Sequence, residues 1–257
     1  MIQRSWMKLP ITGASKLGFV SKNAWDSVAM AKPSWSNERW RILQESGLFS
    51  RSLRYLRMDH ILVLTEIGKR IARQMNLDPV EPPNADFVYH DELVMEYVLK
   101  LESQGLIQSW VSEIELKRKY YKRSRESRGE QKKPKYPDLI VRLKVPGDPV
   151  YFAVEIEHSW KNSYRYNEFT NMYKRQAQID SILVVCKTQK IIDAIRRAQV
   201  RTLYPQNVRP MTFGLIDEVV KSPGSGKMFL NDKPLSLESI VKSLREKREN
   251  TVGQKAS

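Results

Sequence analysis

PDLIVRLKVPGDPVYFAVEIEHSWKN, residues 137–162, holds two apolar runs separated by the turn-forming Pro146-Gly147-Asp148-Pro149. β-Branched and aromatic residues crowd both runs, which predicts two adjacent strands joined by a tight connection. The carboxylates are the anomaly. Asp138 opens the first run, and Glu155 and Glu157 interrupt the second, where a buried strand would be uniformly apolar. Side chains two apart in a strand point to the same face, so Glu155 and Glu157 would stand side by side.

The flanking sequence supplies an alternating pattern. Residues 90–107, HDELVMEYVLKLESQGLI, read as an amphipathic helix with Leu93, Tyr97, Val98 and Leu101 toward a core and a stop near Gly105. LIQSWVSEIEL, residues 106–116, reads as a strand that carries Glu113. After the quoted pair, YNEFTNMYKRQAQI (166–179) reads as a helix, and SILVVCKT (181–188) is a continuous apolar run that suits a buried strand. The order is α-β-β-β-α-β, which places the chain in the α/β (α+β) class.

That order, with Pro137-Asp138 at the start of the second strand and Glu155-Ile156-Glu157 in the third, resembles the PD-(D/E)xK nuclease superfamily. The resemblance implies a mixed sheet in which Asp138 and Glu155 are metal ligands. With the carbonyl of Ile156 they would hold Mg²⁺ or Mn²⁺ together with several of its waters. Such a metal activates a water and neutralises charge building on the phosphate. This chain departs from the pattern at the last position, normally a lysine, where it has Glu157. Lys161 or Lys174 is then the candidate for a migrated amine, and Glu113 or Glu92 for a further acid. The candidate catalytic set is Asp138, Glu155, Glu157 and Lys161. Two outcomes stay open: a metal-dependent DNA endonuclease with its site at a sheet edge, or a catalytically inactive nuclease-like fold whose acids are surface residues.

Residues 34–74, SWSNERWRILQESGLFSRSLRYLRMDHILVLTEIGKRIARQ, form a second, separate pattern. Ser36 is the predicted N-cap of a helix that places Trp40 and Leu43 on one face and stops at Gly47. Two short strand-like runs around Met58-Asp59-His60 predict a hairpin. Thr65 then caps a further helix in which Ile67 and Ile71 are four apart. Helix, hairpin, helix, with Gly47-Leu48, Leu64-Thr65 and Gly68 at their spacing, resembles the winged helix-turn-helix family. The resemblance implies that Asn37, Arg39 and Arg41 face DNA, and that Arg51, Arg54 and Arg57 sit on a wing against the backbone or minor groove.

Charge supports a polyanionic partner. The chain has 257 residues, 44 Lys+Arg against 29 Asp+Glu, and a net charge of +15. A balance of that sign points to nucleic acid, and double-stranded DNA is the partner the two resemblances imply, with RNA a rival resting on charge alone. KRKYYKRSRESRGEQKKPK, residues 117–135, concentrates 10 basic and 2 acidic residues with interleaved tyrosines. Lys119, Lys122, Arg123, Lys132 and Lys133 are its candidate phosphate contacts. The single cysteine, Cys186, excludes an internal disulfide framework and a cysteine-based zinc site. No apolar run approaches the roughly 18 residues that span a bilayer, so the expectation is a cytoplasmic protein with no membrane partner.

Residues 1–75 carry 13 basic and 5 acidic side chains, residues 76–105 only 1 basic and 7 acidic. The expected organisation is a winged helix at 1–75, a proline-rich linker at 76–89, a nuclease-like domain at 90–220 and an extension with one helix at 221–257. SPGSGK, residues 222–227, lacks P-loop spacing and reads as a turn. A winged helix followed by a nuclease-like domain also resembles the replication-relaxation family of plasmids and mobile elements, over residues 12 to 200. That resemblance implies a role in plasmid replication, mobilisation or conjugative transfer, with a relaxase, replication or transposition protein as partner. A transcriptional regulator that only binds DNA is the alternative.

Overall fold

The computed structural model describes residues 5–28, 33–52, 60–127, 135–173, 178–202 and 210–255, with backbone alone at 33–34, 121–127, 201–202 and 249–255. The chain is mixed α/β and forms two units, residues 1–100 with 114–119, and 101–113 with 120–257.

In the first unit the order is α1 (Lys8–Leu17), β1 (Val20–Ser21), α2 (Lys22–Val28), α3 (Pro33–Glu45), β2 (Phe49–Ser50), β3 (Ile61–Leu64) and α4 (Glu66–Gln74). The strands form an antiparallel sheet in the order β1-β3-β2. Ile11, Phe19, Trp25, Leu43, Ile61 and Leu62 are buried in this unit. Gly18 ends α1 at φ 86°, and a Cβ there would lie 2.6 Å from the Glu81 carbonyl oxygen, so no other residue fits without rearrangement.

The expected glycine, leucine and threonine motif folds into one junction. Thr65 accepts a hydrogen bond from Gly68 N at 3.1 Å as the N-cap of α4. Its hydroxyl donates to the Gly47 carbonyl at 2.7 Å and its backbone N–H to that of Leu48 at 3.0 Å. Gly68 is pressed against Leu48, whose carbonyl oxygen would be 2.1 Å from a Cβ. That close approach explains why Gly68 and Ala72 form the buried face of α4 while Ile67 is 56% exposed, contrary to its expected pairing with Ile71. Trp40 and Leu43 are buried as expected. Ser36, expected as an N-cap, lies within α3 because the helix starts at Pro33; its hydroxyl instead donates to Asp26.

Residues 77–84 form no regular element, and Val80 anchors them by donating its N–H to the Ser15 carbonyl at 2.8 Å. Helix α5 (Val88–Ser103) follows, with Val94, Met95, Tyr97, Val98, Leu99 and Leu101 buried and Leu93 only partly covered. It is apolar on most sides over its second half, the mark of a helix with core around it.

The second unit is built on a seven-stranded mixed sheet in the order β10-β9-β8-β7-β6-β5-β4. Its strands are β4 (Ile107–Ser112), β5 (Leu139–Leu143), β6 (Tyr151–Glu157), β7 (Ser181–Cys186), β8 (Met211–Leu215), β9 (Met228–Leu230) and β10 (Lys233–Leu235). β6 runs parallel to β7 and β7 to β8, while all other neighbours are antiparallel. Every residue of β7 is buried, as a continuous apolar run in a central strand requires. The remaining helices are α6 (Glu113–Ser127), α7 (Ser163–Tyr173), α8 (Gln189–Thr202), the short α9 (Ile216–Val219) and α10 (Leu237–Lys255). Tyr166, Phe169 and Tyr173 of α7 and Ile191, Ile192 and Ile195 of α8 share a core with Ala153, Ile182, Val184 and Phe213 from the sheet.

Two expectations change here. Glu113 is not on a strand: β4 ends at Ser112, and Glu113 opens α6 with its N–H donated to the Asp138 carbonyl at 2.9 Å. The first part of the basic segment, from Lys117 to Ser127, accordingly lies on that helix. A β9–β10 hairpin, absent from the sequence reading, turns on Asn231 and Asp232 at φ 48° and 63°, the two positive angles of a type I′ turn. Residues 222–226 are a turn and α10 is a single helix, as read.

Candidate functional site

The site begins where two strands part. β5 pairs with β6 only up to Leu139 opposite Val154. Pro137 has no N–H to donate across the ladder, and the Ile156 N–H of β6 goes to a side chain, Asp138 Oδ2, which accepts it at 2.7 Å. Beyond that point the ladder partners of Glu155, Ile156 and Glu157 are Val184, Val185 and Cys186, all on β7. The acids are therefore next to a gap inside the sheet, between β5 and β6, and not on its edge strands, which are β4 and β10.

Nor are the two glutamates surface residues. Glu155 and Glu157 are each 2% exposed. Tyr173, at the end of α7, donates its hydroxyl to Glu155 Oε1 at 2.7 Å. Lys161, in the segment between β6 and α7, donates to Glu157 Oε1 at 2.6 Å, while Glu157 Oε2 is buried with no hydrogen-bond partner. Burial and then the charge of Asp138 push the Glu155 carboxyl up to about 8, against the opposing pull of Lys135 and the Tyr173 hydroxyl. Burial lowers the Lys161 ammonium, but the charge and hydrogen bond of Glu157, with Glu155 and Asp138 behind it, outweigh that and move it upward. Burial and the Glu155 charge hold the Tyr173 hydroxyl well above its ordinary range. A cavity of about 280 Å³ opens onto Glu157 and Lys161 and is lined also by Lys135, Tyr164, Arg165 and Glu168.

The fold thus brings together Asp138, Glu155, Glu157 and Lys161. Lys174 lies outside the described residues, and Glu92 belongs to the first unit, where its Oε1 is 3.8 Å from His60 Nε2. Sequence reading missed Lys135 and Tyr173. Tyr173 could have been found, because Tyr166, Phe169 and Tyr173 make an aromatic stripe on one helical face, and a hydroxyl at its end needs a partner. Lys135 carried no such signal: its Nζ is 5.0 Å from the centre of the Phe169 ring, a contact that only folding creates.

Could the site take a divalent cation? Among the described residues no group of three or more His, Cys, Asp or Glu side chains is arranged to hold one. The donor chemistry nonetheless fits: burial and the Asp138 charge push the Glu155 carboxyl upward, a strain that a bound cation would relieve, and Glu157 Oε2 is an orphaned buried acceptor.

The expected nucleic-acid contacts distribute over both units. Asn37 and Arg41 on α3 are exposed, Arg41 lying 3.5 Å from Glu45, and Arg39 is half-buried with its guanidinium 5.4 Å from the Trp6 ring centre. Arg51 and Lys119 are exposed. Lys122 and Arg123 fall on α6 without described side chains, and Arg54, Arg57, Lys132 and Lys133 lie outside the described residues. Among the described residues no helix is long and apolar enough to cross a membrane.

No family model, curated protein or solved structure matches the chain.

Proposed function

We propose that this is a DNA-binding protein in which a winged helix binds duplex DNA and a PD-(D/E)xK-like domain grips and nicks the DNA beside that site in a metal-dependent reaction. The observation that carries the reading is the parting of β5 and β6 around Asp138, with Glu155 and Glu157 buried beside it and Lys161 bonded to Glu157. Lys161 would supply the positive charge that Glu157 cannot, reaching the site from four residues further on. Asp138 and Glu155 would hold Mg²⁺ or Mn²⁺, which when bound would activate water and offset phosphate charge. For the first unit, support comes from the order α1-β1-α2-α3-β2-β3 and the sheet order β1-β3-β2, which suit a winged helix presenting α3 to DNA. A role in plasmid replication, mobilisation or conjugative transfer belongs to the same proposal.

A second reading, a nuclease-like fold that only binds DNA, is favoured by one observation. The Tyr173 and Lys161 bonds already satisfy one oxygen each of Glu155 and Glu157 from within the chain. Melting the protein with and without Mn²⁺, alongside a plasmid-nicking assay, separates the two. The metal-dependent reading expects Mn²⁺ to raise the wild-type Tm, and Asp138→Asn to abolish both that rise and nicking. Equal Mn²⁺ responses in wild type and Asp138→Asn overturn it.

A further inference from the structure

Two large aromatic rings stand out in solvent beside the carboxylates: Trp160 is 61% and Tyr164 67% exposed. Trp160 precedes Lys161, the residue bonded to Glu157, and Tyr164 follows it by three positions. Neither ring hangs loose. Trp160 packs edge-on against Tyr166 with ring centres 6.0 Å apart, and the Tyr166 hydroxyl accepts the Lys161 N–H at 3.0 Å, so the ring and the lysine backbone share one support. Tyr164 donates its hydroxyl to Glu168 at 2.9 Å across one helical turn.

Cations outnumber acids around these rings. Tyr164 lines the 280 Å³ cavity with Lys135, Lys161 and Arg165, and with Glu157 and Glu168. Trp160 lines a smaller one near the start of α7, with Ser163, Asn167 and Arg197. Folding gains little from rings left in water, and continuous duplex offers them no base faces because its bases are stacked on one another. Rings interleaved with cations instead match a strand whose bases are unstacked: the cations meet phosphates and the rings meet bases.

We propose that the second unit takes a single-stranded DNA segment, with bases stacking on Trp160 and Tyr164 so that the adjoining phosphate lies at the Glu157–Lys161 cavity. The substrate class is therefore an unpaired strand, such as a flap, bubble or transfer intermediate, while uninterrupted duplex is the ligand of the first unit. This placement of the phosphate rests on the nuclease-like reading above; strand binding by the rings does not.

The test measures binding of labelled oligothymidine and of a duplex of equal length to the full chain in chelator, so that no metal or cleavage enters. Trp160→Ala and Tyr164→Ala should each weaken oligothymidine binding about tenfold, the effect of losing one base–ring stack, and change duplex binding less than about twofold. Trp160→Phe, which keeps a stacking face, should stay close to wild type. Because both rings are exposed, melting temperatures of the variants should match wild type. Equal losses on the two DNAs, no loss on either, or Trp160→Phe as weak as Trp160→Ala would overturn the proposal. A parallel nicking assay with Mn²⁺ reports on the metal-dependent reading alone: its failure leaves the binding comparison to decide strand recognition.

Discussion

At the residue scale the unusual feature is a carboxyl group, Glu155, buried in the middle of a sheet beside another acid. Burial and the Asp138 charge raise its folded-state pKa to about 8 from an ordinary 4.5. The folded protein therefore holds a proton that the unfolded chain has released, and the associated stability is full below about pH 4.5 and lost as pH rises through about 8. In chelator the melting temperature should fall across that window, by the equivalent of a few kcal/mol at most. Glu155→Gln keeps an acceptor for Tyr173 and removes the titration, so its melting temperature should be flatter over the same window. A wild-type slope in that variant would mean another group is responsible. Lys161 gives a second, independent handle. Removing it leaves the buried Glu157 carboxyl without its partner; because the Lys161 side chain is 34% exposed, Lys161→Ala should cost about 2 kcal/mol, less than the roughly 3–5 for a fully buried pair. Urea unfolding of Lys161→Ala and of the Glu157→Gln, Lys161→Met double variant measures it, the double variant recovering part of the loss.

Elements are positioned by close approaches of backbone. The junction of β2, β3 and α4 depends on Gly68 lying against the Leu48 carbonyl and on Thr65 bonding three neighbours at once. Gly68→Ala would force a Cβ to 2.1 Å from that oxygen, so the helix must move and the variant should lose about 2–3 kcal/mol. Thr65→Ala, which removes the cap, should lose about 1 kcal/mol. Denaturant midpoints compare the two directly, and a Gly68→Ala loss no larger than that of Thr65→Ala would show that the contact relaxes freely. In the second unit a local change of partner marks Pro137-Asp138: Pro137 has no N–H to donate, and the Ile156 N–H is accepted by the Asp138 carboxylate.

Over the whole molecule, charge is the dominant property. A chain of net charge +15 that neutralises several phosphates releases as many counterions on binding duplex DNA. Its affinity should fall with salt along a log–log slope of magnitude about 5 or more, measured by fluorescence anisotropy at several salt concentrations. A flat response would remove the duplex-DNA reading.

What could be read along the chain was whatever depends on neighbours in sequence. Uniform burial of Ser181–Cys186 follows from an unbroken apolar run, capping by Thr65 from a hydroxyl ahead of a helical period, and the shared face of Glu155 and Glu157 from the two-residue repeat of a strand. Errors arose where two periods overlap or two segments meet. SEIEL alternates like a strand yet begins α6, because β4 loses its partner at Leu139; Ser36 resembles a cap yet bonds Asp26 from inside α3. The candidate site shows the same division. Its acids were visible as polar interruptions of apolar runs and Lys161 as the nearby amine, but the tyrosine on Glu155 and the nearness of Lys135 come from segments that only folding brings together, since no periodicity links residues on different elements.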